Sequence, residues 1–166
     1  KLTAAQVPPP DAAIHFILMG HLDDANLRAI AQNNPFKDRI HFTGYRNDVP
    51  AIVAACDAFI MPSTKREGLS RAVIEAMACG TAPIVTDVGG LPEMAVNRES
   101  GLIIPPENSP AIAEAILGLY RDPELKKKMG ENPHILAPRP LSPHLGEKRP
   151  GLARYPIFVS STHITL

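Results

Sequence analysis

Charge imbalance, metal-ligand clusters and membrane-length apolar runs are all missing from this chain. Its 166 residues carry 17 basic and 17 acidic side chains, a formal net charge of +0. That total offers no electrostatic reason to expect DNA, RNA or an anionic surface as the main partner. Cysteine is scarce. Cys56 and Cys79 form no C-x-x-C pair and stand beside no histidines at zinc spacing. Both fall inside apolar runs and read as small buried hydrophobes with no redox role, and no metal or cofactor is expected from them. No apolar run approaches the roughly 20 residues needed to cross a bilayer, and the stretch 51–61 is interrupted by Asp57. No signal peptide opens the chain. A cytoplasmic location is the simplest expectation. The chain starts at Lys1 rather than methionine, which suggests a fragment or a trimmed protein.

What is present is an alternation of two kinds of segment. Ile14–Gly20 is a continuous apolar run closed by glycine, suited to a buried parallel strand. Asp23–Gln32 has helical spacing, with Leu27, Ile30 and Ala31 on one face. Ile40–Thr43 predicts a second strand, and Asp48 and Pro50 a short helix through Ala55, as capping residue and early-turn proline. Asp57–Met61 predicts a third strand. A loop over 62–68 leads to an apolar helix of about Leu69–Cys79, stopped by Gly80. Pro83–Thr86 and Leu102–Ile104 predict two more strands, with Gly89-Gly90 and a short helix from Pro92 between them. Pro110–Tyr120 has Ile112, Ala115, Ile116 and Leu119 on one face, and Pro123–Gly130 is a charged surface helix. Strand and helix alternating in this way predict an α/β protein: a Rossmann-like parallel sheet with helices on both faces, its ligand at the carboxyl ends of the strands.

The pattern covers residues 1–132 and stops there. Residues 133–166 hold six of the 18 prolines, four basic side chains (Arg139, Lys148, Arg149, Arg154) and one acidic residue, Glu147. This second region predicts an irregular or disordered tail with at most a short strand at Ile157–Ser160. So abrupt a change also fits a shift of reading frame, which the nucleotide sequence would reveal.

The chemistry-bearing stretch runs from Arg66 to Gly80. A strand end, a tight loop and a helix start follow one another, so unpaired backbone N–H groups and the positive end of the helix dipole face outward, as an anion such as a diphosphate requires. Gly68, without a Cβ, lets a ligand approach the backbone. Glu67 and Glu75 supply acceptor oxygens suited to hydroxyl groups, including a vicinal diol. Plainer readings stand beside these. An acid before a helix is favoured by the dipole alone, Gly68 can simply make the turn, and Glu75 can be solvated. Glu75 is the hardest to dismiss, because Val73, Ile74, Ala76, Met77 and Ala78 around it are apolar and a charge there wants a partner.

These residues carry a resemblance. HFTGY at 41–45, ACDAFIMPS at 55–63, REGLSRAVIEAMACGTAPIVTDVGGLPE at 66–93 and SGLIIPP at 100–106 closely resemble the C-terminal, donor-binding domain of retaining glycosyltransferases of family 4, which have the GT-B fold. Glu67 and Glu75, eight apart, match that family's paired glutamates. With 14–20 and 110–131 the resemblance spans about 120 residues. It implies that Glu67 holds hydroxyls of the donor sugar as the catalytic carboxylate, helped by the amides of Gly68, Leu69 and Ser70. The amides of Arg71 and Ala72 would face the diphosphate, and Glu75 the ribose. Tyr45 and Arg46 would border the base, and Gly89 and Gly90 the floor of the cleft. Transfer would pass a sugar from a nucleotide diphosphate to an acceptor hydroxyl with retention and without a bound metal.

The family's basic loop follows a first strand that belongs before Ile14, where Lys1–Ala13 is short and holds Pro8-Pro9-Pro10. The acceptor-binding domain would precede that. A glycan or lipid-linked acceptor would therefore be met through a missing N-terminal domain, the full-length protein leaves room for peripheral membrane association, and this chain alone is expected to transfer little. The alternative is a non-catalytic module that binds a nucleotide sugar; a GT-B epimerase or phosphorylase fits residues 66–80 less well. His15 and His41 read as core or edge residues, and His21 as a candidate ligand neighbour. His134, His144 and His163 receive no role.

Overall fold

The computed structural model describes residues 14–20, 25–65, 67–132 and the backbone of 155–160. Expectations for a strand before Ile14, for His21, for the start of the first helix and for most of the tail, with its three histidines, lie outside the described residues.

The strands are β1 (Ile14–Met19), β2 (Ile40–Gly44), β3 (Ala58–Met61), β4 (Ala82–Thr86), β5 (Leu102–Ile104) and β6 (Tyr155–Ser160). They form one sheet in the order β2-β1-β6-β3-β4-β5, with every pairing parallel. The helices are α1 (Ala25–Gln32), α2 (Val49–Ala55), α3 (Arg71–Ala78), α4 (Ser109–Arg121) and α5 (Pro123–Glu131), with 3₁₀ turns at Lys37–Arg39 and Leu91–Met94.

Alternation along the strands explains the two-sided burial. Ala58 and Ile60 of β3, with Ala82 and Ile84 of β4, join Ala115, Ile116 and Leu119 of α4 and Met129 of α5 in one core. Their strand neighbours Phe59, Met61 and Val85 point the other way, to Val53 of α2 and Val73, Ala76 and Met77 of α3. A strand buried on both faces must be apolar throughout, which is why these segments read as unbroken runs. Ile84 and Val85 are both fully buried, although they face opposite layers.

Several sequence expectations change. Asp48 occupies the N-cap position of α2 but makes no side-chain cap bond, because its carboxylate is bonded to Arg46. The stretch before α3 is extended at Ser70, so that helix begins at Arg71 rather than Leu69. Ile30 is exposed while Ala31 is buried, so the buried stripe of α1 is narrower than its pattern suggests. The strand expected at Ile157–Ser160 is present and starts two residues earlier, at Tyr155. It fills the middle of the sheet, beside β1 from Ile14↔Tyr155 to Met19↔Ser160 and beside β3 over Ile157, Phe158 and Val159. Pro156, which has no amide hydrogen, lies before the part paired on both sides.

Parallel pairing puts every carboxyl end on one edge. β1 and β2 build one side of the sheet and β3, β4 and β5 the other, so the chain reverses its direction of progress between β2 and β3. Crevices of open α/β sheets lie at such a reversal, above the carboxyl ends. The loop leaving β3 is therefore the one to inspect.

Candidate functional site

The loop from Pro62 to Ser70 leaves β3 at that edge, and the end of β4 holds it in place. Ser63 is fully buried, and Thr86, at the last position of β4, is 1% exposed. The Thr86 hydroxyl Oγ1 donates to the carbonyl of Ser63 at 2.7 Å. The amide of Gly90 donates to the carbonyl of Glu67 at 2.8 Å. Gly89 has φ +60°, and a Cβ there would overlap the Glu67 carbonyl. A Cβ on Gly90 would come within 3.1 Å of the Gly68 carbonyl. Both glycines are needed because two loops meet backbone to backbone.

On this platform Glu67 is half-buried. Its Oε2 accepts the Ser63 hydroxyl at 2.5 Å, short as expected when the acceptor is charged. Gly68 and Leu69 face solvent, Leu69 at 60% exposure, and the space beside Gly68 is open. Ser70 is the N-cap of α3 and makes no side-chain cap bond. Its own amide donates to the sulfur of Met94 at 3.3 Å, so it is turned inward and engaged. Among the described residues the amides of Gly68, Leu69, Arg71 and Ala72 have no acceptor. Four polar N–H groups thus stand at a solvent-open helix tip, an arrangement that favours an anion.

Glu75 lies one turn into α3. Its partner is Arg71, at 3.5 Å, with side-chain exposures of 39% for Glu75 and 90% for Arg71. The charge set among apolar neighbours is therefore met from its own helix and by water.

Tyr45 and Arg46 follow β2 on the same edge but three strand positions from β3, roughly 14 Å at ordinary strand spacing. Tyr45 is 74% exposed. Arg46 pairs with Asp48 at 2.5 Å; that hydrogen bond and charge hold the guanidinium above its ordinary range, and the bond to Arg46 holds Asp48 below its own. Gly44, with φ +68°, turns the chain here, and its carbonyl accepts the amide of Gly20 at 3.1 Å. Glu67, Gly68, Gly89 and Gly90 thus come into direct contact, whereas Tyr45 and Arg46 share only the edge.

Sequence reasoning missed Ser63, Thr86 and Met94. Each acts by a contact that only the folded loop creates; Ser63 and Thr86 lie within segments that carry the resemblance, which assigned them no role. His15 and His41 lie on the neighbouring strands β1 and β2, their rings stacked with centroids 5.2 Å apart; His41 is on the edge strand, and His15 is on an interior one. Both cysteines are free; Cys56 is buried and Cys79 half-buried. A cavity of about 350 Å³ opens at the opposite, amino edge of the sheet beside Asp57, Gly80, Ala82 and Lys126, with an Asp57–Lys126 ion pair at 2.6 Å. Among the described residues no helix is long and apolar enough to cross a membrane.

Known proteins resemble the chain over most of its length. The family profile described as "Glycosyl transferases group 1" matches residues 2–134. The chain is 32% identical, over 118 residues, to the N,N'-diacetylbacillosaminyl-diphospho-undecaprenol alpha-1,3-N-acetylgalactosaminyltransferase of Campylobacter jejuni; the match covers 71% of this chain and 31% of that enzyme. Anabaena HepE, solved in complex with UDP-glucose, superposes with a TM-score of 0.68 at 28% identity, over 77% of this chain and 36% of HepE. The C-terminal domain of a group 1 glycosyl transferase family protein from Francisella tularensis shares the fold, with a TM-score of 0.55 at 23% identity over 71% of this chain and 81% of that domain. The chain thus spans about a third of the full-length curated relative and of HepE.

Proposed function

Because the chain belongs to the group 1 glycosyl transferases, we propose that it is the donor-binding domain of a retaining family 4 enzyme, the C-terminal half of a GT-B fold, whose sheet is completed by β6 beyond the expected boundary at residue 132. Its substrate is a nucleotide diphosphate sugar, and the acceptor is a glycan or lipid-linked hydroxyl. One observation carries this reading: a fixed carboxylate, Glu67, stands directly before an open helix tip whose amides lack acceptors, at the reversal point of a parallel sheet.

Glu67 accepts hydrogen bonds from the sugar, with the amides of Gly68 and Leu69 beside it. Ser70 contributes by shaping the turn, since its amide is engaged with Met94. The amides of Arg71 and Ala72 meet the diphosphate. As the bond to the sugar breaks, negative charge gathers on that leaving group, and donors aimed at it lower the barrier. This reading calls for no metal ion. Glu75 exchanges its contact with Arg71 for the ribose hydroxyls, and Tyr45 with Arg46 borders the base. HepE was solved with UDP-glucose, which supports the ligand class.

Calorimetry with UDP, ADP and GDP and their glucose or mannose conjugates tests the proposal. At least one conjugate is expected to bind, with amide resonances of Arg71 and Ala72 shifting on titration. Glu67→Ala is expected to weaken that conjugate about tenfold or more, the loss of a hydrogen bond to a charged group. Binding of none, or shifts confined to the cavity near Lys126, would refute the assignment.

A further inference from the structure

Ser63 has one hydroxyl proton, and it is committed. The side chain is fully buried, and its Oγ donates to Glu67 Oε2 at 2.5 Å. The two residues are four apart in a loop, not in a helix, so helical geometry does not bring them together. The end of β4 does. Thr86 fixes the Ser63 carbonyl, and the Gly90 amide fixes the Glu67 carbonyl. Donor and acceptor backbones are both anchored to the same neighbouring strand and turn. The carboxylate is then divided: Oε2 is bound to protein, and Oε1 has no partner among the described residues.

We propose that Ser63 is a positioning residue for the sugar half of the donor: it pins Glu67 through Oε2 so that Oε1 faces the sugar hydroxyls. This inference rests on the donor-binding reading above. A free glutamate side chain samples many rotamers, and fixing one in advance spares that cost at binding. The benefit falls only on the part of the ligand that touches Glu67. Ser63 therefore discriminates between a nucleotide sugar and its bare nucleoside diphosphate, whose contacts are the helix-tip amides.

The test compares the two ligand classes on the full chain. Ser63→Ala removes the donor; Ser63→Cys keeps the volume and replaces the hydroxyl with a weak donor. Using whichever of UDP-glucose, ADP-glucose or GDP-mannose binds best, both variants are expected to lose about tenfold in affinity for the conjugate. Affinity for the matching bare diphosphate should change by less than about twofold, within the spread of a neutral substitution. Equal losses for both ligands, or no loss for either, would overturn the role. A second measurement needs no ligand. The Ser63 hydroxyl proton, buried and bonded, is expected to exchange slowly enough to be seen by NMR in the free protein, and to shift in Glu67→Gln. Failure to detect it would sink the positioning role while leaving the donor-binding reading intact. Absence of any nucleotide binding would take down both.

Discussion

Cys79 shows how a single residue is governed by its surroundings. It follows α3 as its C-cap, and partial burial, with the nearby charge of Glu75 adding to it, raises its thiol above the ordinary value of 9.0. A raised value means the folded chain holds this proton longer than the unfolded chain. The associated stability is complete below pH 9.0 and is lost as pH rises through the folded value. Alkylation follows the thiolate, so iodoacetamide at neutral pH is expected to label Cys79 more slowly in native protein than in urea-unfolded protein. Equal rates, read by mass spectrometry, would contradict this. The residues of the site differed in how far sequence revealed them. Glu67 stood out because an acid, a glycine and a helix start follow in order. Gly89 and Gly90 stood out as a pair. Ser63 did not, because a buried serine is recognised only when the loop folds it against a carboxylate. Asp48 misled, since an acid before a helix reads as a cap until an arginine two residues earlier takes its carboxylate.

Elements were the most legible level. β5 matches its sequence expectation, and the expectations for α4 and β4 differ by a residue at their ends, because continuous apolar runs and 3.6-residue spacing are strong local signals. The start of α3 was less legible, because Gly68 and Leu69 stay exposed and Ser70 stays extended, and no local signal separates a helix's first turn from the loop leading to it. α4 has a cap that does operate: the Asn108 side chain accepts the amide of Ala111 at 2.9 Å. Asn108→Ala is expected to cost about 1 kcal/mol, read from urea unfolding. No change in midpoint would show that water replaces the cap at no cost. Two helical ends also meet closely, since a Cβ on Gly130 of α5 would overlap the Gly80 carbonyl, and this seats α5 against the turn between α3 and β4.

At the scale of the molecule, the sheet is joined through β6. Its two neighbours, β1 and β3, have no direct pairing with each other. The sequence suggested a strand there but not its place, because an apolar run fixes strand type and leaves the choice of neighbours to long-range packing. Removing residues 155–160 is expected to abolish cooperative thermal unfolding of the remaining chain, followed by circular dichroism. An unchanged, sharp transition would show that β1 and β3 close up without it.

A ribosome makes the two flanks of the sheet long before it makes the piece that joins them. β1 ends at Met19 and β6 begins at Tyr155, so at about 5–20 residues per second the nascent chain waits on the order of ten seconds with two open strand edges. Contacts so distant in sequence form slowly. The sheet therefore closes only once residues 155–160 have been made, and until then β1 and β3 each keep one hydrogen-bonding edge without its final neighbour.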